Sequence, residues 1–118
     1  MDPETLLAGH DVALAVYERV RSILEGLGPV EVRATKSQVS FRRHGAFAWL
    51  WLPGQYLSRP KADVVLTIAL GRHDASARFK EVVHPSPKHW VHHLEVRTIG
   101  EIDDEVADWL REAADRAG

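Results

Sequence analysis

VVLTIAL, residues 64–70, is the segment of this chain that says most about its architecture. Successive side chains of a strand point to opposite faces of the sheet, and in this segment both sets are largely apolar. Both faces should therefore be covered by other parts of the protein, as they are in a central strand. The other strand-like segments alternate between apolar and polar residues and should be half exposed. We therefore place residues 64–70 at the centre of a sheet.

Strand-like composition recurs before and after this segment, and helical spacing occurs at both ends of the chain. The other segments rich in β-branched and aromatic residues are 30–34, 39–43, 46–52, 79–84 and 89–97. The predicted helices are a short one from Asp2-Pro3 to Gly9, a longer one from Asp11 to Gly28-Pro29, and a C-terminal one capped by Asp103 or Asp104. This order predicts an α+β fold with a single, mostly antiparallel sheet of about five or six strands. The N-terminal helices and the C-terminal helix are expected to pack on one face of that sheet.

Length and composition narrow the classes of protein. The 118 residues predict one domain that spans 1–118. The chain has no cysteine, which excludes disulfides, thiol nucleophiles and cysteine-ligated metals. The acidic N-terminus and the lack of a long apolar run predict a cytoplasmic protein that does not enter a membrane. Nothing in the sequence indicates a cofactor.

The net charge of −2 conceals an uneven distribution. Residues 31–97 hold eleven Lys/Arg against five Asp/Glu, a net of +6, whereas residues 1–30 carry −3 and residues 98–118 carry −5. A positive central surface would attract anionic groups. The alternative is that the acidic ends neutralise the basic middle within the fold.

A two-residue turn at His44-Gly45 would fix the pairing of the strands on either side of it. One face would then hold Val39 with Leu50 and Phe41 with Ala48, and the other Gln38 with Trp51, Ser40 with Trp49 and Arg42 with Phe47. The second face combines aromatic rings with hydrogen-bonding groups, as a ligand-stacking surface does. The alternative is that Trp49 and Trp51 pack under a loop or a helix.

A four-residue turn at 85–88 would pair the last two strands. One face would then hold His84 with His89, Val82 with Val91, Lys80 with His93 and Arg78 with Glu95, and the other Val83 with Trp90, Glu81 with His92 and Phe79 with Leu94. The pair of Glu81 and His92 could orient an imidazole as a general base, or it could be a satisfied polar pair within the core.

Two further features have alternative interpretations. His84, His89 and His93 could converge on a metal, but no helical histidine pair or paired acidic ligands support a site, and none is assigned. The irregular segment Pro53–Asp63 could fold over a sheet face as a lid, or it could be an ordinary surface loop.

Four runs of sequence carry a resemblance to a known family: TKSQVSF at 35–41, FAW at 47–49, KEVV at 80–83 and HHLE at 92–95. With Ala8-Gly9-His10 and the segment 103–110, they resemble an uncharacterised family of small bacterial α+β proteins. The resemblance implies a domain of unknown function. It singles out a set of polar residues: Lys36, Ser37, Gln38, Lys80, Glu81, His92, His93 and Glu95.

The leading hypothesis is a non-catalytic binding module with a basic, aromatic-lined site on the sheet for an anionic ligand or partner. The predicted ligand-binding residues are Lys36, Ser37, Gln38, Arg42, Trp49, Trp51, Arg78, Lys80 and His93. A competing hypothesis is an enzyme whose acid–base residues come from His92, His93, Glu81 and Glu95. A third is a structural domain that forms a homodimer through Trp49 and Trp51. Nucleic acid is a further candidate partner, although the chain is acidic overall and has no recognition helix.

Overall fold

The computed structural model describes residues 2–55 and 62–118. Its α-helices are α1 (Pro3–Leu6), α2 (Asp11–Glu25) and α3 (Asp104–Ala117), and short 3-10 helices lie at Pro53–Gln55 and Ile99–Glu101. Its strands are β1 (Glu31–Ala34), β2 (Gln38–Arg42), β3 (Ala46–Trp51), β4 (Val64–Leu70), β5 (Glu81–Ser86) and β6 (His89–Val96). The predicted lid falls mainly on residues 56–61, which lie outside the described residues. Within the described part of the chain, no helix is long and apolar enough to cross a membrane.

The six strands form one antiparallel sheet in the order β1-β2-β3-β4-β6-β5. All seven residues of β4 are buried, and the strand lies between β3 and β6. The central position predicted for residues 64–70 is therefore confirmed, as is the α+β class with a single antiparallel sheet.

One face of the sheet carries the hydrophobic core. The apolar stripe of α2, which includes Val16, Val20 and Leu24, is buried because its residues recur at helical spacing. α3 contributes a matching stripe, and its first turn is capped by Asp103, whose side chain accepts a hydrogen bond from the backbone of Val106. These helices pack in one cluster with the inward residues of the strands: Val39, Phe41, Ala48, Leu50, Leu66, Ile68 and Leu94. The opposite side of the sheet carries the alternate residues, and because α2 and α3 pack on the other side among the described residues, we call it the helix-free face.

The first hairpin has the predicted pairing over most of its length. Gln38 lies opposite Trp51, and Ser40 lies opposite Trp49. The expected pair of Arg42 and Phe47 was wrong, because a β-bulge after Phe41 places Arg42 opposite Ala46. Phe47 is consequently buried in the core rather than on the aromatic face.

The pairing predicted for the second hairpin was wrong by one residue. The chain turns between Ser86 and His89, which face each other, and an irregularity between Val83 and Ser86 absorbs the difference. Glu81 therefore lies opposite His93, and Val82 lies opposite His92. Because side chains alternate along a strand, this shift moves Glu81 to the face opposite to the one predicted.

Candidate functional site

The registers align polar and aromatic residues in two rows across the helix-free face. The first row holds Gln38, Trp51, Val65 and Glu95, and the second holds Arg33, Ser40, Trp49, Thr67, His93 and Glu81. Strand alternation places all of them on the side away from α2 and α3. This face is the candidate site, because it brings indole rings, an imidazole and hydrogen-bonding groups onto neighbouring strands.

A chain of hydrogen bonds crosses three strands on this face. Trp51 Nε1 donates to Thr67 Oγ1 at 3.0 Å, and Thr67 Oγ1 lies 2.8 Å from His93 Nδ1. The rings of Trp51 and His93 meet edge to face with their centroids 6.3 Å apart. The imidazole of His93 is therefore held in place by a hydroxyl that is itself held by an indole.

The same chain determines which nitrogen of His93 carries the proton. An indole N–H can only donate, so Thr67 Oγ1 accepts from Trp51. Within the described part of the chain, His93 Nδ1 is the one acceptor within reach of the Thr67 hydroxyl proton. We infer that the hydroxyl donates to Nδ1, which places the proton of the neutral ring on Nε2. His93 then presents Nε2–H as a hydrogen-bond donor.

The surroundings of His93 favour this neutral form. Burial lowers the pKa of His93 below its ordinary value of 6.5, because a charged imidazolium loses hydration there. The Glu81 carboxylate acts in the opposite direction and raises the pKa, while the Lys80 ammonium lowers it. His93 is therefore a neutral donor at pH 7.

His92 lies on the core side of β6 and is fully buried. Its Nε2 accepts a hydrogen bond from the backbone N–H of Asp74 at 3.0 Å, so Nδ1 carries the proton and donates to the carbonyl of Trp90 at 3.0 Å. Burial lowers the pKa of His92. The expected pair of Glu81 and His92 was wrong, and His92 is a satisfied core histidine whose two nitrogens are both engaged.

Two of the basic residues predicted for the site, Arg78 and Lys80, are paired with carboxylates. Arg78 contacts Asp103 at 3.0 Å and Glu105 at 2.8 Å at the start of α3, and Lys80 Nζ lies 3.6 Å from Glu95. The pairs of Arg78 with Asp103 and Glu105, together with one between Arg72 and Glu112, show that the acidic C-terminal segment neutralises part of the basic middle.

The structure brings together some of the predicted ligand-binding residues and separates others. Those that share the helix-free face are Gln38, Trp49, Trp51 and His93, and Arg42 points to the same side of β2 as Gln38. Lys36 and Ser37 precede β2 in the turn after β1. Arg42 lies at the far end of β2 and lines a separate open cavity of about 510 Å³. Arg78 and Lys80 line a third region beside the start of β5.

The three histidines considered for a metal do not converge. His84 stacks on the Trp90 ring with centroids 3.5 Å apart, on the side of the sheet opposite to His93. His89 Nδ1 contacts Arg116 at 3.1 Å. Over residues 2–55 and 62–118, no group of three His, Asp or Glu side chains could hold a metal ion.

Sequence reasoning missed Thr67 and Arg97. Thr67 is the one polar residue in the otherwise apolar β4, and that contrast is the signal that could have identified it. Arg97 follows directly after β6, and its guanidinium lies 3.8 Å from Glu95, which no local pattern reveals.

Comparison with known proteins gives a family but no activity. A family model described as a domain of unknown function, DUF5655, matches residues 4–116. No curated protein and no solved structure matches the chain.

Proposed function

Because this chain belongs to the DUF5655 family, whose description assigns no activity, we propose from its site alone that it is a small-ligand binding module. The ligand lies on the helix-free face, where Trp49 and Trp51 offer rings for stacking and Gln38 offers an amide. It carries a negatively charged group and accepts a hydrogen bond from His93. The observation that carries the proposal is the hydrogen-bond chain through Thr67, which fixes His93 Nε2–H as a donor.

Three physical points support binding rather than packing as the task of these residues. Within the part of the chain that the structure describes, His93 Nε2 has no hydrogen-bond partner, although Nδ1 is fully oriented. Trp49 and Trp51 are only partly buried, unlike the aromatic residues of the core. Aromatic rings beside a fixed polar group are typical of small-molecule sites.

Tryptophan fluorescence tests the proposal directly. Titration with nucleotides, short single strands and polyphosphates at low salt is expected to give a saturable change that Trp51→Phe removes. Trp90→Phe is the matched control and should retain the change, because Trp90 packs against His84 and His73. Thr67→Val should weaken binding about five- to tenfold, since His93 loses a hydrogen bond that orients it.

Two outcomes would count against this function. The proposal is wrong if neither these compounds nor the amino acids considered below change the fluorescence. Light scattering on the same samples separates ligand binding from self-association. A mass that rises with protein concentration, together with a blue shift of Trp49 and Trp51, would instead favour a homodimer through these rings.

A second candidate function, acid–base catalysis, is favoured by one observation. Glu81 lies opposite His93, so a carboxylate and an imidazole share the helix-free face after all, although the partner is not the predicted His92. Thr67 is only 5 % exposed, so its hydroxyl orients the ring rather than attacking a substrate.

Opposite shifts of the His93 pKa test whether Glu81 acts on this ring. Glu81→Gln should lower the pKa further, because it removes the charge that stabilises the imidazolium, and Lys80→Met should raise it. NMR titration of the ring protons measures both. A His93 pKa that is the same in Glu81→Gln as in the unmodified protein would rule out a carboxylate–imidazole pair.

A further inference from the structure

A small cavity of about 260 Å³ lies beside the start of β5. β5 begins at Glu81, opposite His93, so the following residues of β6 have no β5 partner. The cavity, which we call the Glu95 pocket, is lined by Ala77, Arg78, Lys80, Leu94, Glu95, Arg97 and Glu101. Glu95 is two residues from His93 on the same face of β6, so the pocket adjoins the aromatic rows.

Glu95 has two cations near it but only at long distances. Its side chain is only 16 % exposed, yet its closest partners are Lys80 Nζ at 3.6 Å and an Arg97 nitrogen at 3.8 Å. Both distances exceed the range of about 2.7–3.2 Å of an ordinary hydrogen bond. Within residues 2–55 and 62–118, no group donates a hydrogen bond to Glu95. Among the described residues, the buried side-chain atom without a hydrogen-bond partner is Arg43 Nε and not a Glu95 oxygen, so water still reaches this carboxylate and a ligand's donor group can replace it.

The other charged groups of the pocket are already engaged. Arg78 donates to Asp103 and Glu105, and Glu101 accepts from the backbone N–H groups of Arg97 and Thr98. The groups left to act on a ligand are therefore Glu95 and the two cations that flank its oxygens.

Charge balance decides what kind of ligand fits. Three cations line the pocket, and they face four carboxylates: Glu95, Glu101, Asp103 and Glu105. The pocket has no excess of positive charge, so a phosphate dianion would meet the Glu95 carboxylate without compensation. A ligand with a positive and a negative group close together would match Glu95 and its two neighbours.

We propose that the Glu95 pocket binds the zwitterionic head of a free α-amino acid. The ammonium group donates hydrogen bonds to Glu95, and the carboxylate is bound by Lys80 and Arg97. This inference rests on the proposed binding function and names its ligand class. The ligand's side chain extends toward the rings of His93 and Trp51, whose centroids are 6.3 Å apart.

The dimensions and the existing ion pairs are compatible with this ligand. The volume is below the range of about 300–1,000 Å³ typical of drug-sized ligands, so the occupant of the pocket is small. Lys80 and Arg97 are both about half exposed, and exposed ion pairs contribute little to stability. Both cations can therefore turn from Glu95 to a ligand carboxylate at low cost.

An NMR titration of backbone amides with the twenty L-amino acids tests the inference. The tightest binder is then compared with its analogue that lacks the amino group and its analogue that lacks the carboxylate. Each analogue should bind about tenfold more weakly or worse, because each loses one set of charged hydrogen bonds. Arg97→Met should weaken binding of the amino acid by a similar factor. Arg111→Gln, which alters an exposed pair on α3, should not.

Glu95→Gln gives the sharpest signature. The variant should bind the amino acid about tenfold more weakly but should bind the analogue that lacks the amino group more tightly. Both cations are then released from Glu95 and can bind the ligand's carboxylate. A purely structural role of Glu95 would weaken both ligands together.

The outcomes separate the inference from the function on which it rests. Equal affinity for the amino acid and its deaminated analogue overturns the inference. So does binding of orthophosphate or nucleotides on the helix-free face while no amino acid binds, although the proposed function then stands. Shifts at Glu95 without any at Trp51 or His93 support the pocket and contradict the aromatic surface. No shift with any compound overturns both.

Discussion

Trp109→Ala is expected to lower the free energy of unfolding by about 3 to 5 kcal/mol, the usual cost of truncating a buried aromatic residue. The Trp109 ring is 5 % exposed and packs against Phe79 with centroids 4.5 Å apart. Its Nε1 donates to Asp74 at 3.0 Å, so the substitution also removes one of the hydrogen bonds that tie α3 to the loop before β5. Urea unfolding followed by circular dichroism measures the change.

Trp109→Phe separates the two contributions. It keeps most of the ring contact with Phe79 but removes the indole N–H, so about 1 to 2 kcal/mol should be lost. A loss below about 1 kcal/mol in Trp109→Ala would contradict the packing described for α3.

Acidification from pH 7 to pH 5 is expected to destabilise the protein steeply. Burial lowers the pKa of both His92 and His93 in the folded state, whereas the unfolded chain titrates near 6.5. Below pH 6.5 the unfolded state therefore binds more protons than the folded state, and stability falls as pH falls. The stability that the two neutral histidines contribute is complete above pH 6.5 and is lost as the pH falls through their folded-state pKa values. Each histidine can contribute a slope of about 1.4 kcal/mol per pH unit.

Variants assign this slope to its two sources. His92→Leu should reduce the overall stability, because it leaves the backbone N–H of Asp74 without its acceptor, but it should flatten the dependence on pH. His93→Gln should independently reduce the dependence of stability on pH. Arg78 is the main group that lowers the pKa of Asp103. Asp103 therefore affects the pH dependence of stability only near and below pH 3.8, its ordinary pKa. Equal slopes between pH 7 and 5 in the unmodified protein and both variants would contradict the assignment.

Local signals were sufficient for the centre of the fold and for the first hairpin. The doubly apolar pattern of 64–70 identified the central strand, since only a strand covered on both faces has it. The two-residue turn expected at His44-Gly45 was wrong, because three residues, 43–45, separate β2 from β3, but the bulge compensates and preserves the expected pairing of Gln38 with Trp51 and Ser40 with Trp49. The bulge opposite Arg42, where Phe47 is the extra residue of β3, was not predictable, because one extra residue in a strand has no compositional signature there.

The second hairpin shows where such reasoning fails. Pro85 and Pro87 both suggest a turn, and the sequence does not reveal that Pro85 belongs to β5. A shift of one residue exchanges the two faces, so the carboxylate of Glu81 joined His93 instead of His92. The partners of Arg78 were equally out of reach, since they lie at the start of α3, about a quarter of the chain away, and only tertiary packing brings them together.

His92 and His93 are consecutive, so their side chains lie on opposite faces of β6. A single peptide unit joins His92, whose ring is buried on the core side of the sheet, to His93, whose ring lies on the helix-free face. The inner ring accepts a hydrogen bond from the backbone of Asp74, and the Asp74 carboxylate accepts one from the indole of Trp109. Two hydrogen bonds and one peptide unit therefore connect the core indole of Trp109 to His93 on the other side of the sheet.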